Sequence, residues 1–154
     1  MRLRIVSVGT KPPSWVISGF AEYSRRMPPE MSVDLVEVDA PKHHMDKERV
    51  MGEEGARSLQ KVGDNDWVIA MDEHAPMLSS ANLAAKMADW RMRGTDVTFM
   101  IGGADGLAKK VRARANEAIS LSKLTFPHYV VRVILAESLY RAWTIHSGHP
   151  YHRT

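Results

Sequence analysis

The last seven residues, GHPYHRT, set Tyr151, His152 and Arg153 side by side. They join a ring that stacks on a base, an imidazole that titrates near neutrality and a guanidinium that grips phosphate. Chain ends ordinarily fray into solvent, so this tail is either a solvated end or part of a site. Fully extended, Gly148 to Thr154 would reach roughly 23 Å, enough to leave their own subunit and enter another. Upstream, Glu137 and Arg141 stand at i and i+4, the spacing of a helix ion pair. The segment around them is otherwise apolar, where charges are costly unless paired or used.

Two further stretches offer backbone chemistry. In IGGADG (Ile101 to Gly106), Gly102 and Gly103 let the chain turn tightly and let a ligand press against the main chain, or else make an ordinary strand-to-helix turn. LSKLTFPH (Leu121 to His128) has no glycine and joins a strand to the last helix through Pro127. Its plainest role is a connector whose Leu124 and Phe126 plug the core. A dinucleotide site would need G-x-G-x-x-G after the first strand, where Gly9 stands alone, and the Gly-Lys-Ser/Thr ending of a P-loop is missing. His43 and His44 have no acidic or cysteine companion at ligand spacing, so no metal site is expected. Arg25 and Arg26 are expected to complement the end of the first helix, with RNA contact as the alternative.

Hydrophobic periodicity indicates the elements that must position these groups. Leu3 to Gly9 reads as a buried strand. Val16, Gly19, Phe20, Tyr23 and Met27 form one face of a helix. SVDLVEV is a second strand, followed by a helix capped by Asp46 and running to about Val62, weakened by Gly52 and Gly55. Asp66 to Asp72 is a third strand. After it comes a helix capped at Ser79 or Ser80, with Leu83, Met87 and Trp90 as its stripe and Gly94 as its stop. DVTFMIGG is a fourth strand, leading to a short helix over about Leu107 to Ala115, and AISLS is a short fifth. The last helix, about His128 to His146, is apolar nearly all round and so predicts burial on more than one side. Alternating strands and helices predict a single α/β domain with a mainly parallel sheet flanked by helices. Ligands in such sheets bind beyond the carboxyl ends of the strands, which directs attention to the loops after Met71, Ile101 and Leu121.

Composition sets outer bounds. At 154 residues the chain fits one domain, and without cysteine it has neither disulfides nor a thiolate zinc site, as in a reducing cytoplasm. A net charge of +3 is a mild bias toward anionic partners, below that of a dedicated nucleic-acid binder. No stretch approaches the roughly 20 apolar residues of a membrane span, and the N-terminal run is too short and charged for a signal peptide. A soluble protein is expected.

The stretches VGTKPPSWVISGFAEYSRRMP, IGGADG, LSKLTFPH and above all VRVILAESLYRAWTIHSGHPYHR closely resemble the bacterial ribosomal RNA large subunit methyltransferase H family, and the similarity runs from Met1 to Thr154. That family belongs to the SPOUT class, α/β homodimers whose C-terminal segment threads a loop to form a trefoil knot, a rare exception to the unknotted rule. The resemblance implies a cytoplasmic enzyme that transfers a methyl group, without a metal, from S-adenosylmethionine to N3 of a pseudouridine in 23S ribosomal RNA. Its expected substrate is the assembled ribosome. By motif match, Met71, Gly103 and the stretch Ser122, Lys123, Leu124, Thr125, Phe126 and Pro127 would hold the cofactor, with Gly102 shaping the same wall. Ala104 and Asp105 stand where proline and glutamate are common in the family, and Met71 where leucine is common.

Uracil-type N3 carries a proton and attacks poorly until that proton leaves, so a base or a polarising cation must be close. His152 is the expected base and Arg153 the stabiliser of charge spreading onto the ring oxygens, while Tyr151 stacks on or holds the base. Glu137 and Arg141 would order the pocket, and the last helix would supply the dimer interface. Two other classes stand as alternatives: a non-enzymatic RNA-binding factor that keeps the fold, and a small dehydrogenase, against which the missing phosphate fingerprint speaks.

Overall fold

The computed structural model describes residues 1–42 and 46–153; His43 and His44, and any metal role for them, lie outside the described residues. Five short apolar runs form strands: β1 (Leu3–Val8), β2 (Val33–Val38), β3 (Trp67–Met71), β4 (Val97–Ile101) and β5 (Glu117–Ile119). They make one sheet in the order β2-β1-β4-β3-β5, and every pairing is parallel. Helices α1 (Ser14–Ser24), α2 (Lys47–Leu59), α3 (Ser80–Arg93), α4 (Lys109–Arg114) and α5 (Val130–Ser147) cover it.

Both sheet faces are buried, which is why the strands read as near-continuous apolar runs. Side chains still alternate with the pleat. Ile5, Ile69 and Phe99 point to the cluster under α1, α3 and α5, whereas Val6, Val68, Ala70 and Met100 join Leu107, Ala108 and Val111 under α4. α5 packs between α1 and α3, which accounts for its apolar circumference.

Local signals place the helix ends. The Asp46 and Ser79 side chains accept from the backbone N–H groups of Arg49 and Asn82, capping α2 and α3, and Gly94 takes the left-handed conformation that stops α3. Arg25 Nε donates to the carbonyl of Ala21 at the end of α1, as its position suggested, while Arg26 pairs with Glu22. The expectations miss at boundaries. Met27 is buried beyond the end of α1, and α2 stops at Leu59 rather than Val62. β5 starts one residue before AISLS and ends before its second half, where Ser120 turns its amide to the carbonyl of Pro76 instead of to a strand.

One long crossing organises the site. After β5, at the sheet edge, residues 120–129 run over the carboxyl ends of the strands: Ser120 Oγ lies 3.2 Å from the carbonyl of Glu73, and His128 Nε2 reaches the carbonyl of Val8. Arg132, fully buried on the first turn of α5, fastens the far end of the crossing. It donates to Ser7 Oγ and the carbonyl of Gly9 and pairs with Glu37 at 2.8 Å.

Candidate cofactor cavity and tail cluster

A cavity of about 220 Å³ opens where β3, β4 and β5 end. The loops after Met71, Ile101 and Leu121 all contribute, as the rule for parallel sheets requires. Gly102 and Gly103 form one wall, and Ser122, Leu124, Thr125 and Phe126 line the opposite side together with Met71. Lys123 and Pro127, on the same loop, are exposed and do not line it.

The glycines have steric reasons. A Cβ on Gly102 would overlap the backbone of Gly106, and one on Gly103 would overlap the carboxylate of Glu54. Between them the Gly106 amide donates to the Gly103 carbonyl at 3.0 Å, closing the tight turn. The opposite loop is held by its own hydroxyls: Ser120 Oγ donates to the Ser122 carbonyl at 2.9 Å, Ser122 Oγ accepts from the Leu124 amide at 2.9 Å, and Thr125 Oγ1 donates to Glu73 at 3.2 Å. Leu124 is not a core plug, being 72% exposed at the mouth. Asp72 also lines the cavity and is paired with Arg112. An apolar slot with a glycine backbone wall and short hydroxyl loops suits a flat heterocycle and its sugar.

The five residues expected to do or support the chemistry lie elsewhere. None of Glu137, Arg141, Tyr151, His152 and Arg153 lines the cavity. In one chain the tail is not extended: Pro150–His152 form a single 3-10 turn that folds back on α5. Tyr151 donates its hydroxyl to Glu137 Oε1 at 3.1 Å and packs edge-on against Tyr140, and Arg141 grips the same Glu137 oxygen at 2.6 Å while its guanidinium covers the Tyr151 ring. The Glu137–Arg141 ion pair is therefore real and also holds the tail. Burial, then the Glu137 carboxylate, push the Tyr151 hydroxyl up to about 12, and its bond to Glu137 holds Arg141 still more firmly charged. His152 Nδ1 is buried with no partner among the described residues, and Arg153 sits exposed in the left-handed region at φ 43°. Among the described residues no group of three His, Asp or Glu side chains is placed to hold a metal ion, and no helix is long and apolar enough to cross a membrane.

Two neighbours of the cavity escaped sequence reasoning. His128 lines it although it read only as a helix start, and Glu54 backs its glycine wall. A signal for Glu54 existed in its place between Met51, Gly55 and Ser58 on the inner face of α2, where an acid is out of character.

A parallel α/β sheet with a glycine-walled cavity at the strand ends and a segment crossing them places a ligand site beyond the carboxyl ends of the strands. A family model described as a predicted SPOUT methyltransferase matches residues 1–152. Curated relatives called ribosomal RNA large subunit methyltransferase H are 46% identical in Hahella chejuensis, covering 99% of both chains, and 43% identical in Pseudomonas fluorescens, covering 99% of this chain and all of that one. The solved structure of a probable methylase family protein from Haemophilus influenzae aligns over 97% of this chain and 67% of its own, with a TM-score of 0.59 at 13% identity, a likeness of fold alone. The chain therefore belongs to the SPOUT methyltransferase family, in the group of ribosomal RNA large subunit methyltransferase H.

Proposed function

We propose that this chain is an S-adenosylmethionine-dependent methyltransferase of large-subunit ribosomal RNA that modifies N3 of a pseudouridine in 23S RNA, acting in the cytoplasm on the assembled ribosome. The observation that carries the reading is the glycine-walled cavity, in which Met71, Gly102, Gly103 and the 122–127 loop meet at the ends of three strands. The residues fit the cofactor: an apolar slot for the adenine, and a main-chain wall that side chains would block. The bound cofactor supplies an electrophilic methyl on a sulfonium. The chain's own contribution is then positioning and proton removal.

The tail is the proton-handling element in this reading. His152, whose buried Nδ1 has no partner among the described residues, takes the N3 proton once the tail is seated on the substrate, Arg153 balances negative charge on the ring oxygens, and Tyr151, held neutral through the physiological range, positions the base by stacking or by its hydroxyl. Glu137 and Arg141 fix Tyr151 from behind. Within one chain the tail lies on the flank of α5 rather than at the cavity, so we infer a homodimer in which one copy's tail serves the other's cavity. The trefoil knot implied by the family resemblance has its support in the crossing of residues 120–129 over the strand ends.

Ribosomes lacking the modification, labelled S-adenosylmethionine and nucleoside analysis of the recovered RNA test the reading. The expected product is a single N3-methylated pseudouridine. Cofactor binding without transfer to any ribosomal RNA would overturn the assignment.

A further inference from the structure

Glu54 is the outlier beside the cavity. It is 7% exposed, its carboxyl fills the space a Gly103 Cβ would need, and it lines a second cavity of about 490 Å³ that shares Gly103, Ala104 and His128 with the first. Burial, then the neighbouring Asp105 carboxylate, push its carboxyl above the ordinary range, with no hydrogen bond or ion pair from a described residue to offset them. Lys47, the cation at the rim, is turned to Asp105 at 3.6 Å. A buried carboxyl that faces a cavity without a partner is costly, and a ligand group that donates to it removes the cost.

Size points the same way. The first cavity falls below the roughly 300–1,000 Å³ of ordinary small-molecule sites, whereas the second adjoins it across the glycine wall. The cofactor has two chemically distinct ends, a flat nucleoside and an amino-acid chain bearing an ammonium.

We propose that the second cavity receives the amino-acid end of the cofactor, with the Glu54 carboxylate accepting from its α-ammonium while the nucleoside occupies the glycine-walled cavity. This rests on the cofactor reading above and adds a subsite to it. Among the described residues, the other titratable or charged groups facing Glu54 are Asp105 from the glycine loop, Lys47 from α2, and His128 and Tyr129 from the lead into α5. On the α4 side the Lys110 stem passes next to Gly55. Val8, Gly9, Ala40, Pro41 and Val50 complete the walls without charge. A cation placed against a carboxylate favours its ionised form, so binding shifts the Glu54 titration down and releases a proton over the range in which free Glu54 titrates.

Calorimetry of S-adenosylhomocysteine binding, repeated in buffers of unlike ionisation enthalpy and at rising pH, reads that proton directly. Over the range in which free Glu54 titrates, wild type is expected to release a proton on binding and to bind more tightly as pH rises. Glu54→Gln, nearly isosteric, is expected to bind roughly tenfold more weakly with no linked release, its fold checked by circular dichroism. A measurement on wild type alone guards against a damaged variant: 5′-methylthioadenosine, which lacks the amino-acid end, is expected to bind without releasing the proton. Equal affinity and equal release in the Gln variant, or the same release with 5′-methylthioadenosine, would overturn the subsite. Wild type that bound neither ligand would instead bring down the cofactor reading beneath it.

Discussion

At the scale of single residues, the two wall glycines differ in what a methyl group would strike. At Gly102 it meets the backbone of Gly106, which cannot yield without opening the turn; at Gly103 it meets the end of the Glu54 side chain, which can swing. Gly102→Ala is therefore expected to cost about 1–3 kcal/mol of stability and to abolish cofactor binding. Gly103→Ala is expected to keep its melting temperature within a few degrees and lose affinity alone, and calorimetry beside thermal denaturation separates the two. The Tyr151 hydroxyl makes a second residue-scale prediction. Its folded value of about 12 lies above the unfolded value of about 10, so the neutral form is favoured on folding. That contribution is fully present below about pH 10 and is lost as pH rises toward 12, giving an alkaline fall in stability that Tyr151→Phe should lack. Denaturation curves of the two proteins between neutral and alkaline pH check it.

At the scale of elements, α5, packed between α1 and α3, is the member that joins the sheet to the tail. Its first turn carries Arg132, with no exposed surface, tied to Ser7, Gly9 and Glu37; its later turns carry the Glu137–Arg141 pair that receives the tail. The helix thus links the ends of β1 and β2 to the tail cluster across about 27 Å, the length of 18 residues at helical rise. Arg132→Met removes the guanidinium while filling much of its volume, and leaves the Ser7 hydroxyl, the Gly9 carbonyl and the Glu37 carboxylate without their donor. About 2–3 kcal/mol of lost stability is expected, visible as a lower urea midpoint. Arg132 could have been suspected from the sequence, since VVRVIL sets a charge in an apolar run as Glu137 and Arg141 do, yet nothing local says that its partners lie on β1 and β2, some 95 and more residues away.

At the scale of the whole molecule, the separation of tail and cavity within one chain turns the proposed dimer into a mechanistic statement. Two variants expected to be inactive, His152→Ala in the tail and Gly102→Ala in the cavity wall, supply the test when mixed as unfolded chains and refolded together. If the tail serves its neighbour, each mixed dimer holds one intact site. With half the dimers mixed, about a quarter of wild-type activity is expected to return. Activity that stays at the level of the separate variants would place the tail's action within its own subunit.

Residue pattern alone was enough for the alternation of strands and helices, the capping of α2 and α3, and the three loops that converge on the cavity, because periodicity, caps and glycine turns are local and each is written in a few neighbouring residues. The resemblance carried the cofactor, since the motif residues of those loops are contiguous. The tertiary structure alone decided which side of each boundary the chain turned, as where Ser120 leaves β5 for the Pro76 carbonyl, and that Leu124 faces solvent. It also decided that Glu54 of α2 lies against Gly103 of the loop after β4, and that the tail folds onto α5 rather than into the cavity. Those outcomes depend on pairs distant along the chain, and the balance of burial against desolvation that settles them exists only once both partners are in place.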